Sequence, residues 1–145
     1  MRADFVVILV LIIMVILSVC DVRDRNLPVI WIAAGLVMSI IVVICNIRSG
    51  NRTLYDVAMA VIPGILFCIY SGKHPDKLGT GDGPVLWIGA LITDMYGYMY
   101  VLGIAFAMIF LIYPVMVRKT REIPFVPFFT VGLYIVKLYL ITVGG

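Results

Sequence analysis

The stretch Phe5-Val6-Val7-Ile8-Leu9-Val10-Leu11-Ile12-Ile13-Met14-Val15-Ile16-Leu17-Ser18-Val19-Cys20-Asp21 decides the fold class, because sixteen uncharged residues run without a break into a carboxylate. Apolar and polar residues do not alternate along it, so it does not read as a half-buried strand. Five more apolar runs follow, at Val29–Ile47, Val57–Tyr70, Val85–Tyr96, Tyr98–Val117 and Phe125–Val143. The chain of 145 residues is 63% hydrophobic and only 13% charged, against about half and about a quarter in soluble domains. A soluble fold of this composition would expose large apolar patches, so the bilayer is the solvent it suits. In hydrocarbon the backbone must satisfy its own hydrogen bonds, which leaves helices or closed barrels, and unbroken runs favour helices.

The expectation is therefore one all-α domain over residues 1–145, a polytopic membrane bundle of about six transmembrane helices. Several runs fall short of the ~20 residues that cross a hydrocarbon core of about 30 Å; sixteen residues at 1.5 Å each reach only ~24 Å. The fourth run is the weakest, with Gly97 as the break before the fifth, and five spans plus a re-entrant segment is the alternative. Leu17-Ser18-Val19-Cys20 partly resembles a lipoprotein cleavage box, but Val19 fits it badly, and the first run reads as a retained span.

Charge is sparse and its placement carries information. The loops after the first, third and fifth runs hold Arg23, Arg25, Lys73, Lys77, Arg118, Lys119 and Arg121, whereas the opposite face holds Arg2, Arg48 and Arg52. Seven against three puts the odd-numbered loops on the cytoplasmic side. A net charge of +3 spread over short loops does not make a nucleic-acid surface. Cys20, Cys45 and Cys68 lie about a span apart with no CxxC, and with the single His74 they make no zinc-ligand pattern; they read as buried free thiols.

Two aspartates stand where apolar runs meet polar loops. Asp21 closes the first run, and Asp82 lies in Leu78-Gly79-Thr80-Gly81-Asp82-Gly83-Pro84 before the fourth. A carboxylate at such a boundary is costly unless paired, hydrated or used. The charge pattern puts both on the cytoplasmic side. Two carboxylates around one water can hydrolyse a peptide: the ionised one is the general base, and the protonated one binds the carbonyl and donates to the leaving amine. Close carboxylates share a proton and titrate as a pair. Gly79 and Gly81 let a substrate strand approach the backbone. Each aspartate also has a structural reading. Asp82 reads equally as a helix cap with Pro84 in the first turn, and Asp21 as a helix end paired with Arg23 or Arg25. Asp24 reads as a solvated charge, Glu122 as a partner of Arg118 or Arg121, and Asp56 and Asp94 fall on the opposite face. Pro63-Gly64 can kink the third run, and Gly89 and Gly103 can admit close helix contacts.

Three signatures in order give these residues a family likeness. Asp21, seven residues before Pro28, with Arg23, Arg25 and Leu27 between, resembles the first signature of type IV prepilin peptidases. Gly79-Thr80-Gly81-Asp82 resembles their GxGD motif, shared with presenilin-type intramembrane proteases, and Glu122-Ile123-Pro124-Phe125-Val126-Pro127-Phe128 resembles the third signature. The resemblance implies a membrane aspartyl endopeptidase that removes the short basic leader of type IV prepilins or pseudopilins at the cytoplasmic face, in a bacterial inner membrane or archaeal plasma membrane. It implies Asp21 and Asp82 as the catalytic dyad, Gly79 and Gly81 at the substrate strand, and no metal or other cofactor. With no CxxC and no cysteine-bearing segment, the chain resembles a short, peptidase-only form. After GxGD the family continues with a hydrophobic residue and lysine; here Gly83-Pro84 follows, which implies a more loop-like backbone at Asp82. Val29 replaces the asparagine that commonly follows the first signature. An inactive assembly scaffold and a proton- or ion-coupled transporter using the two aspartates are the rival expectations.

Overall fold

A computed structural model describes residues 3–24, 26–73, 81–116 and 124–143. They form six helices: α1 (Ala3–Asp24), α2 (Val29–Arg48), α3 (Leu54–Lys73), α4 (Asp82–Ile92), α5 (Met95–Met116) and α6 (Val126–Val143). Four of them, α1, α2, α3 and α5, contain a segment long and apolar enough to cross a membrane. The protein is accordingly an all-helical, membrane-embedded chain.

The first helix shows how the sequence chooses its inward face. Val6, Val10, Ile13, Leu17 and Asp21 are buried, whereas Phe5, Ile8, Ile12, Val15, Val19 and Val22 are exposed. Both sets step by three or four residues, so they occupy opposite stripes of one helix. The exposed stripe is as apolar as the buried one, a surface suited to lipid. The inward stripe ends on a carboxylate. That makes Asp21 a core-facing residue of α1, although sequence position alone makes it a boundary residue.

Packing closes the helices into a ring in the order α1, α2, α4, α3, α5, α6, with α6 returning to α1. The helix pairs touch where side chains vanish. A Cβ at Gly35 of α2 would lie 2.7 Å from Ile88 Cδ1 of α4, and one at Gly132 of α6 would lie 2.8 Å from the Val101 carbonyl of α5. Gly64 of α3 meets the Trp87 ring, and Gly89 of α4 meets Phe129 of α6. Without a hydrophobic drive between helices in lipid, such close backbone approach supplies the van der Waals contact that holds a bundle. Gly89 thus fulfils the close contact expected of it. Gly103 does not, since nothing lies within 4 Å of a Cβ there.

Three expectations need correction here. The fourth run was expected over Val85–Tyr96 with Gly97 as the break; instead α4 ends at Ile92 and α5 begins at Met95. Thr93 is extended at φ −115°, ψ 156°, and the Asp94 carboxylate accepts the Gly97 N–H at 3.3 Å. Asp94 is therefore the N-terminal cap of α5, the usual work of such a residue, and Gly97 lies inside the helix. At 11 residues, α4 is only about 16 Å long and falls short of a full crossing. The alternative structural reading of Asp82 made it the helix cap, but Gly81 is the cap and Asp82 the first helical residue. The loop-like backbone expected from Gly83-Pro84 is absent for the same reason. Pro84 falls in the first turn, where a missing N–H costs no helical bond.

Candidate functional site

Asp21 stands in the last turn of α1, buried at 7% exposure, and its Oδ2 accepts the Val126 N–H at 3.1 Å. Val126 opens α6. A helix N-terminus leaves its first N–H groups without internal partners and carries a partial positive charge, so a carboxylate there is doubly favoured. Pro124 and Pro127 flank this donor. Neither proline has an N–H to donate.

The start of α6 is pinned from its other side by aromatic rings. Phe125 is stacked on Phe129 with centroids 5.6 Å apart, and lies 5.5 Å from the ring of Phe67 on α3 and 6.1 Å from that of Phe106 on α5. Further along the seam, Ser18 donates to Thr130 Oγ1 at 2.7 Å and Tyr134 donates to the Leu11 carbonyl at 3.3 Å. Partners that ascend on α1 as they descend on α6 fix the two helices antiparallel, with Asp21 level with the α6 N-terminus.

Asp82 is equally buried, at 7% exposure, in the first turn of α4. Two neighbours set its position. A Cβ at Gly81 would lie 2.7 Å from Leu27 Cδ1 in the α1–α2 loop, and Gly83 lies against the Cys68 sulfur of α3. The first contact ties the start of α4 to the loop that follows Asp21. The second ties it to the stretch of α3 that carries Phe67, the ring partner of Phe125. Both aspartates therefore lie at the same end of the bundle, on inward-facing positions of α1 and α4. A side chain at Gly81 would have to displace the end of the Leu27 side chain. Gly79, the other residue expected at the substrate strand, lies outside the described residues, as do Arg25, His74, Lys77 and Glu122.

The remaining acids separate as expected. Asp24 is exposed and lies 3.8 Å from Arg23 Nε, both side chains being more than half solvent-accessible; such a surface pair contributes about 0–1 kcal/mol. Asp56 and Asp94 belong to the opposite end, where both act electrostatically on Arg52. The three cysteines are free and half-buried.

Arg52 is the residue that sequence reasoning undervalued. Counted there only as one of three basic residues on its face, it is buried at 7% exposure. Its guanidinium donates to the Leu91 carbonyl at 2.9 Å and to the Ala90 carbonyl at 2.8 Å. Burial pushes its pKa below the ordinary arginine value, while Asp94 and Asp56 pull it back. A cation here meets the negative end of the α4 dipole, opposite the end that carries Asp82. The only sequence signal is an arginine directly after the Ser49-Gly50-Asn51 turn, far from the helix it serves.

Comparison with protein-family models, with curated proteins and with solved structures finds no match to this chain.

Proposed function

We propose that this protein is a membrane aspartyl endopeptidase of the prepilin-peptidase type, with Asp21 and Asp82 as its catalytic dyad. The observation that carries the reading is the burial of both carboxylates on inward positions at one end of the bundle. Asp24, at the end of the same helix as Asp21, is by contrast exposed and lies beside Arg23. The likeness of three ordered signatures supplies the substrate class: type IV prepilins or pseudopilins, in which a basic leader precedes a hydrophobic helix.

In the mechanism, one aspartate is ionised and takes a proton from the attacking water as its oxygen approaches the scissile carbonyl. The other is protonated, hydrogen-bonds the carbonyl oxygen, and supports the proton transfer that frees the amine. Preorganised groups of this kind act most strongly where water is scarce. The Val126 N–H at the start of α6 fixes the Asp21 carboxyl, so little reorganisation accompanies reaction. In this reading the extended peptide runs beside the glycine-rich turn before Asp82, where Gly81 itself packs against Leu27. The substrate's hydrophobic helix lies in the bilayer beside the apolar outer stripes, and its leader emerges at the cytoplasmic face of a bacterial inner membrane or archaeal plasma membrane. The protein crosses that membrane several times.

Purified protein in liposomes, offered a matched prepilin, is expected to make a single cut at the leader junction without added metal or ATP. Loss of cleavage with a chelator contradicts a two-carboxylate mechanism. Failure against a broad panel of prepilins, with the fold intact, favours the scaffold or transporter alternative.

A further inference from the structure

α4 is short, nearly enclosed, and tied at both ends. Its N-terminal end rests on Leu27 through Gly81 and on Cys68 through Gly83. Its C-terminal end is held by one side chain from another loop: Arg52, whose two terminal nitrogens reach the Ala90 and Leu91 carbonyls. These carbonyls belong to the last turn, where helical partners run out. Two bonds from one rigid fork fix both the rotation and the axial position of the helix, which a single flexible donor does not.

We propose that Arg52 is a positioning residue: by gripping the C-terminal carbonyls of α4 it sets where Asp82, at the other end of that helix, stands relative to Asp21. The role rests on the dyad reading above only for its catalytic consequence; the placement of α4 is separate. Each residue of axial slip moves a helix by 1.5 Å, and a misplacement of about 1 Å can cost ~10²-fold in rate.

Two cysteine pairs test it, in a protein whose native cysteines are replaced by serine. Leu27→Cys with Gly81→Cys reports the α4 N-terminus, since a Cβ at Gly81 would lie 3.2 Å from Leu27 Cβ, close to disulfide range. Ser18→Cys with Thr130→Cys, across the bonded α1–α6 seam, reports the rest of the bundle. Arg52→Gln is expected to slow oxidation of the first pair at least ~5-fold and to leave the second unchanged, with Arg52→Lys between. In liposomes with native residues elsewhere, Arg52→Gln is expected to lower kcat by roughly 10–100-fold with KM within about twofold, and Arg52→Lys to recover part of it. An unchanged rate at the first pair overturns the proposal. So does slowing of both pairs together, which makes Arg52 a general stabiliser. If the first pair alone slows but the unmodified protein cuts no prepilin, Arg52 still sets α4 and it is the peptidase reading that fails.

Discussion

Replacing Asp21 by alanine removes the acceptor that holds the Val126 N–H at 3.1 Å. The donor is buried at the start of α6, so the orphaned group costs about 1–3 kcal/mol. An ionised carboxylate at a helix N-terminus adds about 0.3–1 kcal/mol, and alanine forfeits that as well. Asp21→Ala should therefore destabilise the bundle by about 1–4 kcal/mol. Asp21→Asn keeps an acceptor oxygen of the same reach and loses only the charge, about 0.3–1 kcal/mol. Denaturant unfolding in mixed micelles, followed by circular dichroism, measures the difference, and an unchanged slope shows that the same surface is exposed in both variants. Asn and Ala variants that unfold at the same midpoint would refute the idea that Asp21 holds α6. The distinction matters for function: the Asn variant retains the fold contact while discarding the acid–base group, so lost activity in it cannot be blamed on a displaced helix.

Three further outcomes are expected. Gly89→Val should destabilise by about 1–3 kcal/mol through overpacking against Phe129, whereas Gly103→Ala, facing open space, should stay within about 0.5 kcal/mol; the same unfolding assay reads both, and equal effects contradict the packing described for Gly89. Asp24→Asn should retain most cleavage in the liposome assay, and a variant as inactive as Asp21→Asn would mean that Asp24 is the first acid. A topology reporter fused after Lys77 should read cytoplasmic and one after Arg52 external; an external signal at Lys77 puts the dyad on the wrong side for a prepilin leader.

Much of the fold is legible in the sequence because apolar runs in lipid have few alternatives to helices. The inward stripe of α1, Val6 to Asp21 in steps of three and four, is also present in the sequence. It was not decisive there, because the outward stripe is equally apolar and nothing in composition says which side faces lipid. Gly89 and Gly103 show the same limit: both are small residues in apolar runs, and only the three-dimensional neighbour tells Phe129 from empty space. The break between α4 and α5 is set by Asp94, whose side chain caps the following helix, whereas Gly97, the stronger breaker by residue type, is accommodated inside it. Among the candidate site residues, motif spacing singles out the two aspartates and Gly81. The Val126 donor is a backbone N–H, to which no side-chain motif points. Arg52 could not be found that way, since its partners lie 38 and 39 residues along the chain and a loop arginine usually stays in the headgroups.

The most direct measurement is the rate at which wild type, Asp21→Asn and Asp82→Asn cleave a matched prepilin in liposomes at equal protein content. Each single substitution removes one half of a shared acid–base pair and leaves the side-chain shape nearly unchanged. Cleavage should fall by roughly 10²–10⁴-fold in both, with helical content and membrane insertion as in wild type. Either Asn variant cutting at close to the wild-type rate would contradict Asp21 and Asp82 as a catalytic dyad.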